Sequence, residues 1–209
     1  MNPIRKKVLD IRILLRASRL GYWWQCHKEG NEQYIYQTEM RKKFRKADGV
    51  LFGKDLILHD PHCISLGEGG CINRNTILTA FQTFNGQHYA GDIVIGKNCN
   101  IGEYNHITAI GTMRIGDNLL TGRWVTITDN GHGKTEEILD HNAPLGRVLY
   151  TKGPVTIGNN VWIGDKATIL PGITIGDNVI VAANSVVTRN VPSYCVVAGN
   201  PAKIIKQYE

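Results

Sequence analysis

Three absences narrow this chain before anything present in it is weighed. Its 209 residues hold five cysteines, an odd number, scattered over positions 26, 63, 71, 99 and 195. Small secreted domains use even, closely spaced sets to make up for a small core. The pattern here points instead to a reducing, cytoplasmic setting, with thiols buried as small apolar groups. No CxxC pair occurs, and His59, His62, Cys63 and Cys71, the nearest approach to a zinc set, have no matching second half, so no metal is expected.

Long apolar runs are missing too. The most apolar N-terminal stretch, residues 4–24, is broken by Arg5, Lys6, Lys7, Arg12 and Arg16, which excludes a spanning helix and a signal-peptide core. Ile4, Val8, Ile11, Leu14, Leu15 and Leu20 fit one side of a helix instead. Such a helix either packs on a neighbouring surface, as amphipathic helices generally do, or lies on an anionic membrane through its cations and Tyr22, Trp23 and Trp24. The third absence is any helix-turn-helix, zinc finger or aromatic-basic strand platform. A formal charge of +6 therefore does not mark a nucleic-acid binder.

What the chain does have is a period. Ile157, Ile163, Ile169, Ile175, Val181 and Val187 recur every six residues, beside a second file at Val155, Val161, Ala167, Ile173, Val179 and Val191. A six-residue repeat is the signature of a parallel β-helix, in which each repeat is a short strand and a turn that cannot bury its apolar side alone. Leu66, Ile72 and Leu78, then Ile95, Ile101 and Ile107, then Ile115, Thr121 and Ile127 keep the rhythm in shifted registers. Phase breaks at residues 81–92, 109–113 and 129–153 mark insertions or bulged corners. The third break is long enough to be functional, and it holds His132 and His141. The expected organisation is an all-β unit at 51–195 with an inserted, protruding loop at 129–153, a basic helical extension at 1–50, and a tail at 196–209.

Four blocks follow in order within residues 152–206: NVWIG at 160–164, PGITIG at 171–176, NSVVTR at 184–189 and AGNPAK at 198–203. On these blocks the segment resembles the C-terminal half of hexapeptide-repeat acyltransferases. That group includes maltose and galactoside O-acetyltransferases and capsule or lipopolysaccharide O-acetyltransferases. The resemblance implies a left-handed β-helix, a homotrimer with active sites between subunits, and acetyl-CoA bound in the crevice between two copies.

A thioester donor needs an acceptor hydroxyl held against its carbonyl and a base to take the proton. Histidine suits the task, since its unperturbed pKa of about 6.5 leaves it neutral yet basic near pH 7. His132, between Gly131 and Gly133 at the mouth of the long loop, is the general base that the resemblance implies. Asp129, Glu136, Glu137 or a backbone carbonyl could orient its ring. Asn105, at the corner GEYNHIT, is either an amide donor to the developing oxyanion or a corner residue in left-handed backbone.

The resemblance also places coenzyme A against Asp165, Ala182 and Ala183, with Thr188 and Arg189 at the family's Thr-Lys pair and Lys203 and Lys206 at its basic end. Cations there would meet the cofactor's phosphates. Trp162 lines the crevice or sits at a subunit contact. No serine or cysteine stands in a nucleophile motif beside His132, so transfer is expected to be direct. The acceptor is expected to be a sugar hydroxyl of a surface polysaccharide or its lipid-linked precursor, at the inner membrane face. An amino sugar, an amino acid, an antibiotic or a non-catalytic scaffold are the alternatives. A glycine-rich N-terminal β-α-β unit, the mark of nucleotide-amino-sugar N-acetyltransferases, is missing. So is the HxxxxH pair of carbonic anhydrase-like β-helices.

Overall fold

The computed structural model describes residues 19–139 and 143–208. Helix α1, Arg19–Lys43, ends on Arg41, Lys42 and Lys43, which complement the partial negative charge of a helix C-terminus. The amphipathic run expected from residue 4 lies, up to residue 18, outside the described residues, as does His141.

From Lys46 onward the chain is mostly short strands in parallel sheets. Three sheets are visited in fixed rotation. The first contains Lys46–Ala47, Ile64–Leu66, Asp92–Ile95, Thr112–Ile115, Val155–Ile157 and Thr174–Ile175. The second contains Leu51–Phe52, Cys71–Ile72, Asn100–Ile101, Leu120–Thr121, Trp162–Ile163, Ile180–Val181, Cys195–Gly199 and Ala202–Gln207. The third contains Ile57–His59, Ile77–Ala80, His106–Ala109, Thr126–Thr128, Thr168–Ile169 and Val186–Val187.

The six-residue period sets this rotation. Leu66, Ile72 and Leu78 are buried residues six apart in three successive strands, one per sheet, and the later files repeat the pattern. Registers align them from coil to coil: Ile95 with Ile115, Ile157 and Ile175 in the first sheet, and Leu78 with Ile107, Ile127, Ile169 and Val187 in the third. β-branched side chains suit such pleated, crowded rows. Thr121 is the polar member of its row, and its hydroxyl accepts the Gly102 N–H at 2.8 Å. Glycine at the corners is a packing demand: a Cβ on Gly102 would run into the backbone of Gly122 in the next coil.

Two departures from expectation concern boundaries. The parallel sheets begin at Lys46–Ala47 rather than at residue 51. At the other end, the tail expected at 196–209 shares a sheet with the strands before it, Ala202–Gln207 pairing antiparallel with Cys195–Gly199. All three phase breaks are insertions after third-sheet strands. The first carries a hairpin, Thr83–Phe84 with Gln87–His88. The second is the tight passage through Ile110 and Gly111. The third carries a hairpin, Gly131–His132 with Leu149–Tyr150, and two 3-10 turns.

Candidate active site

His132 is not on an open loop. It pairs with Leu149 across the hairpin, and the Gly133 N–H, at φ 79°, donates to Val148 O at 2.9 Å. Its side chain is exposed. The ring makes a T-shaped contact with Phe84 at 5.6 Å between centroids, and Phe84 in turn leans on Phe81 at 5.7 Å. Both insertions leave the same end of the third sheet, so their hairpins touch. Asn85 Nδ2 donates to Leu145 O at 2.6 Å, and the Leu149 N–H donates to Tyr89 Oη at 2.8 Å. The first insertion thus braces the second at three points. Of the carboxylates expected to orient His132, Asp129 is committed elsewhere: it is buried and accepts the N–H groups of Ile110 and Gly111 and the Asn130 amide.

Asn105 is not a candidate for the oxyanion, and it is not in left-handed backbone either. It is 1% exposed. Both amide hydrogens are used, on Gly102 O at 2.6 Å and Gly122 O at 2.9 Å, while Oδ1 accepts the Val125 N–H at 2.9 Å. Its equivalents in the neighbouring coils are Thr76, Val125, Ala167 and Ser185, all buried. The left-handed residue of its corner is Tyr104. Asn105 therefore points into the interior and ties two coils together.

The remaining candidates fall into two groups. Trp162 is exposed on the second sheet, in one row with Leu120, Ile180, Val196 and Lys206. Asp165, Ala182 and Ala183 lie in the turn that leaves this sheet. Asp165 Oδ1 accepts the Arg123 N–H at 2.8 Å, and the Ala182 N–H is bound to Val197 O at 2.9 Å. A register shift in the last hairpin sets Lys203 opposite Ala198 and Lys206 opposite Val196. Partners two residues apart share a face, so the shift turns both lysines to the outward side. Lys206 Nζ sits 4.6 Å over the Tyr208 ring. The strip from Trp162 to Lys206 spans three strand spacings, about 14 Å.

Thr188 and Arg189 are exposed at the far end of the third sheet, the end from which the His132 hairpin leaves. That end is separated from the Asp165 turn by a third-sheet strand and its flanks, about 15 Å at strand rise. One chain therefore does not bring His132, Thr188 and Arg189 beside the strip.

A feature unforeseen in the sequence lies in the Asp165 turn. Each coil places one residue there in left-handed backbone: Asp55, Asn75, Tyr104, Trp124, Lys166 and Asn184, at φ 54–59°. Tyr104 and Trp124 stack at 5.2 Å and 14°, and Lys166 Nζ lies 5.8 Å from the Trp124 ring. Left-handed backbone costs a bulky residue about 1–2 kcal/mol, so about 2–4 kcal/mol for the two rings. The stack returns about 0.5–1.5 kcal/mol and an exposed cation–π contact about 0.5–1 kcal/mol. Asparagine, which holds the same turn at 75 and 184, would serve the fold at least as well. A bulky aromatic at the asparagine position of a hexad turn is the signal that reveals the pair.

Residues 154–189 match the family described as bacterial transferase hexapeptide (six repeats). Galactoside O-acetyltransferase of Escherichia coli K12 is 39% identical over 57% of this chain and 56% of its own length. WbbJ of the same strain, an O-acetyl transferase provisionally assigned to lipopolysaccharide biosynthesis, is 40% identical over 56% of this chain and 62% of its own. The chain thus spans less than two thirds of these relatives. Among solved structures, a maltose O-acetyltransferase from Clostridium difficile 630 is 28% identical, with a TM-score of 0.55 over 81% of this chain and 73% of that one. AntD, an N-acyltransferase from Bacillus cereus solved as a mutant in complex with dTDP and coenzyme A, shares the fold at a TM-score of 0.67 and 22% identity, over 83% and 90% of the two chains. The resemblance read from the four sequence blocks is borne out.

Proposed function

We propose that this chain is an acetyl-CoA-dependent O-acetyltransferase that acts on a sugar hydroxyl. The observation that carries the reading is His132: an exposed imidazole on a braced hairpin, at the position where similar transferases imply the base. In direct transfer, His132 takes the acceptor hydroxyl proton as that oxygen attacks the thioester carbonyl. The carbon–sulfur bond then breaks, and the departing thiolate takes the proton from the imidazolium. The products are an acetyl ester and free coenzyme A. Burial pushes the Cys71 and Cys99 thiols up, away from nucleophilic thiolate, which agrees with a route lacking an acyl-enzyme.

The donor would lie along the second-sheet strip, with its pantetheine arm at Trp162, Asp165, Ala182 and Ala183 and its phosphates toward Lys203 and Lys206. The three sheets would close into a left-handed β-helix, the catalytic unit following the N-terminal extension. Trimerisation would set the strip of one copy against His132, Thr188 and Arg189 of the next, since a reacting pair must approach to about 3–3.5 Å. Among the described residues no helix is long and apolar enough to cross a membrane. The basic leader would hold the enzyme at the inner membrane face, near a lipid-linked precursor of a surface polysaccharide.

Calorimetric titration with coenzyme A and acetyl-CoA tests this reading. Saturable binding near one ligand per chain is expected, with His132→Ala lowering turnover by orders of magnitude at unchanged coenzyme A affinity. Binding of neither compound would leave a non-catalytic scaffold.

A further inference from the structure

Among the described residues, thirteen non-glycine positions have positive φ, and nine of them are Asn or Asp, the residues that tolerate it. Three of the other four, Tyr104, Trp124 and Lys166, occupy consecutive coils of one turn. Such conformations are held by their surroundings and cluster at ligand sites. The turn is the one that carries Asp165 and Ala183, the proposed path of the donor arm. The aromatic pair continues that path toward the N-terminal coils.

The pile has one open end. Trp124 lies between Tyr104 and Lys166, but among the described residues no other ring or cation stacks on Tyr104. The next coil in that direction presents Asn75, a much shorter side chain in the same backbone conformation. Tyr104, 40% exposed, therefore overhangs Asn75 as a ledge. At its edge Arg74 Nε bonds Glu103 Oε1 at 3.1 Å, and Arg123 Nε stands 3.7 Å from Oε2. The hydrogen bond to Glu103 draws the Arg74 guanidinium pKa further up.

Building on the acetyl-transfer reading, we propose that this ledge binds the acceptor saccharide. A pyranose has an apolar C–H face, which packs on an open aromatic face, and a rim of hydroxyls, which a guanidinium and a carboxylate can hold as acceptor and donor partners. Trp124 acts as a positioning residue that keeps Tyr104 level. The acceptor then sits at the N-terminal end of the strip whose other end is Lys206. This order places its hydroxyl at the acyl end of the donor rather than at the nucleotide end.

Tyr104→Asn tests the ledge without loading the fold, because asparagine already occupies this turn at 75 and 184. The probes are maltose and methyl β-galactoside, followed by ligand-observed NMR and by thiol release from acetyl-CoA. Expected are a loss of at least tenfold in affinity or KM for the sugar, rescue by Tyr104→Phe, a melting temperature equal to or above the parent's, and unchanged calorimetric binding of coenzyme A. Sugar binding that does not depend on Tyr104, or a lower melting temperature or changed oligomeric mass with unchanged sugar KM, would overturn the ledge. A parent protein that binds coenzyme A but neither sugar would overturn it as well. Loss of coenzyme A binding by the parent would instead strike the acetyl-transfer reading.

Discussion

Replacing Asn105 by alanine separates a structural asparagine from a catalytic one. The side chain serves three backbone groups. Gly102 O would keep the Thr76 hydroxyl as a donor at 3.0 Å, so it is not orphaned. Gly122 O and the N–H of fully buried Val125 would lose the partner they have in Asn105. An unsatisfied buried polar group costs about 1–3 kcal/mol, so two give about 2–6 kcal/mol, a large share of a typical total of about 5–15 kcal/mol. Asn105→Thr, which could donate to Gly122 O as Thr76 does to Gly102 O, should lose about half as much. Urea denaturation followed by circular dichroism measures both losses, and turnover is assayed well below the unfolding midpoint. The folded alanine variant should retain its kcat. Full stability together with a fall in kcat of about 10²–10³, the usual loss for a missing oxyanion donor, would refute the assignment and restore Asn105 to the site.

Phe84→Ala removes an aromatic contact worth about 0.5–1.5 kcal/mol from the His132 ring, so kcat should fall roughly two- to twelvefold at constant coenzyme A affinity; an unchanged kcat would show that the hairpin does not hold the proposed base. Lys203→Ala with Lys206→Ala should weaken coenzyme A binding at least tenfold and flatten its salt dependence, and equal affinity would remove the phosphate contacts. Refolded together with His132→Ala chains, this double variant should recover about a quarter of the parental sites if each site draws on two neighbours in a ring, and none if one chain supplies both halves. Burial pushes the Asp92 carboxyl up, but hydrogen bonds from Arg45 and Arg114 outweigh it and hold the folded pKa below the ordinary value. As pH falls, protons bind first to the unfolded chain, near pH 3.9. The stabilisation by Asp92 is therefore complete above about pH 4 and lost below it. Asp92→Asn should be the less stable protein at pH 7, with the gap closing as the solution is acidified; a gap independent of pH would be the contrary result.

The inward files were legible because a six-residue period leaves little choice: a residue such as Ile127 faces inward whatever the loops do, and shifts in phase mark insertions. What resisted reading depends on one-residue offsets and on distant partners. In the corner GEYNHIT either Tyr104 or Asn105 could take the left-handed position, and the answer decides whether the amide faces solvent or the interior. Phe84 and Tyr89 sit in an insertion that looks like polar spacing. Their role comes from a hairpin that starts more than forty residues later and leaves the same sheet end. The outward aim of Lys206 rests on a register shift that no periodicity announces.

The bracing of the His132 hairpin bears on how a site can be completed. A free loop could swing across the third sheet and reach the strip of its own chain. This hairpin is fixed to its neighbour by a ring contact and two hydrogen bonds, and about 15 Å separates its base from the Asp165 turn. Closing that gap within one chain would break those contacts and unpair Gly131 and His132 from Tyr150 and Leu149. In the proposed trimer a second copy would close it and leave those contacts intact. Under the proposed reading the brace and the division of the candidate residues are two sides of one arrangement: a base held where its own chain offers no donor strip would serve a neighbour.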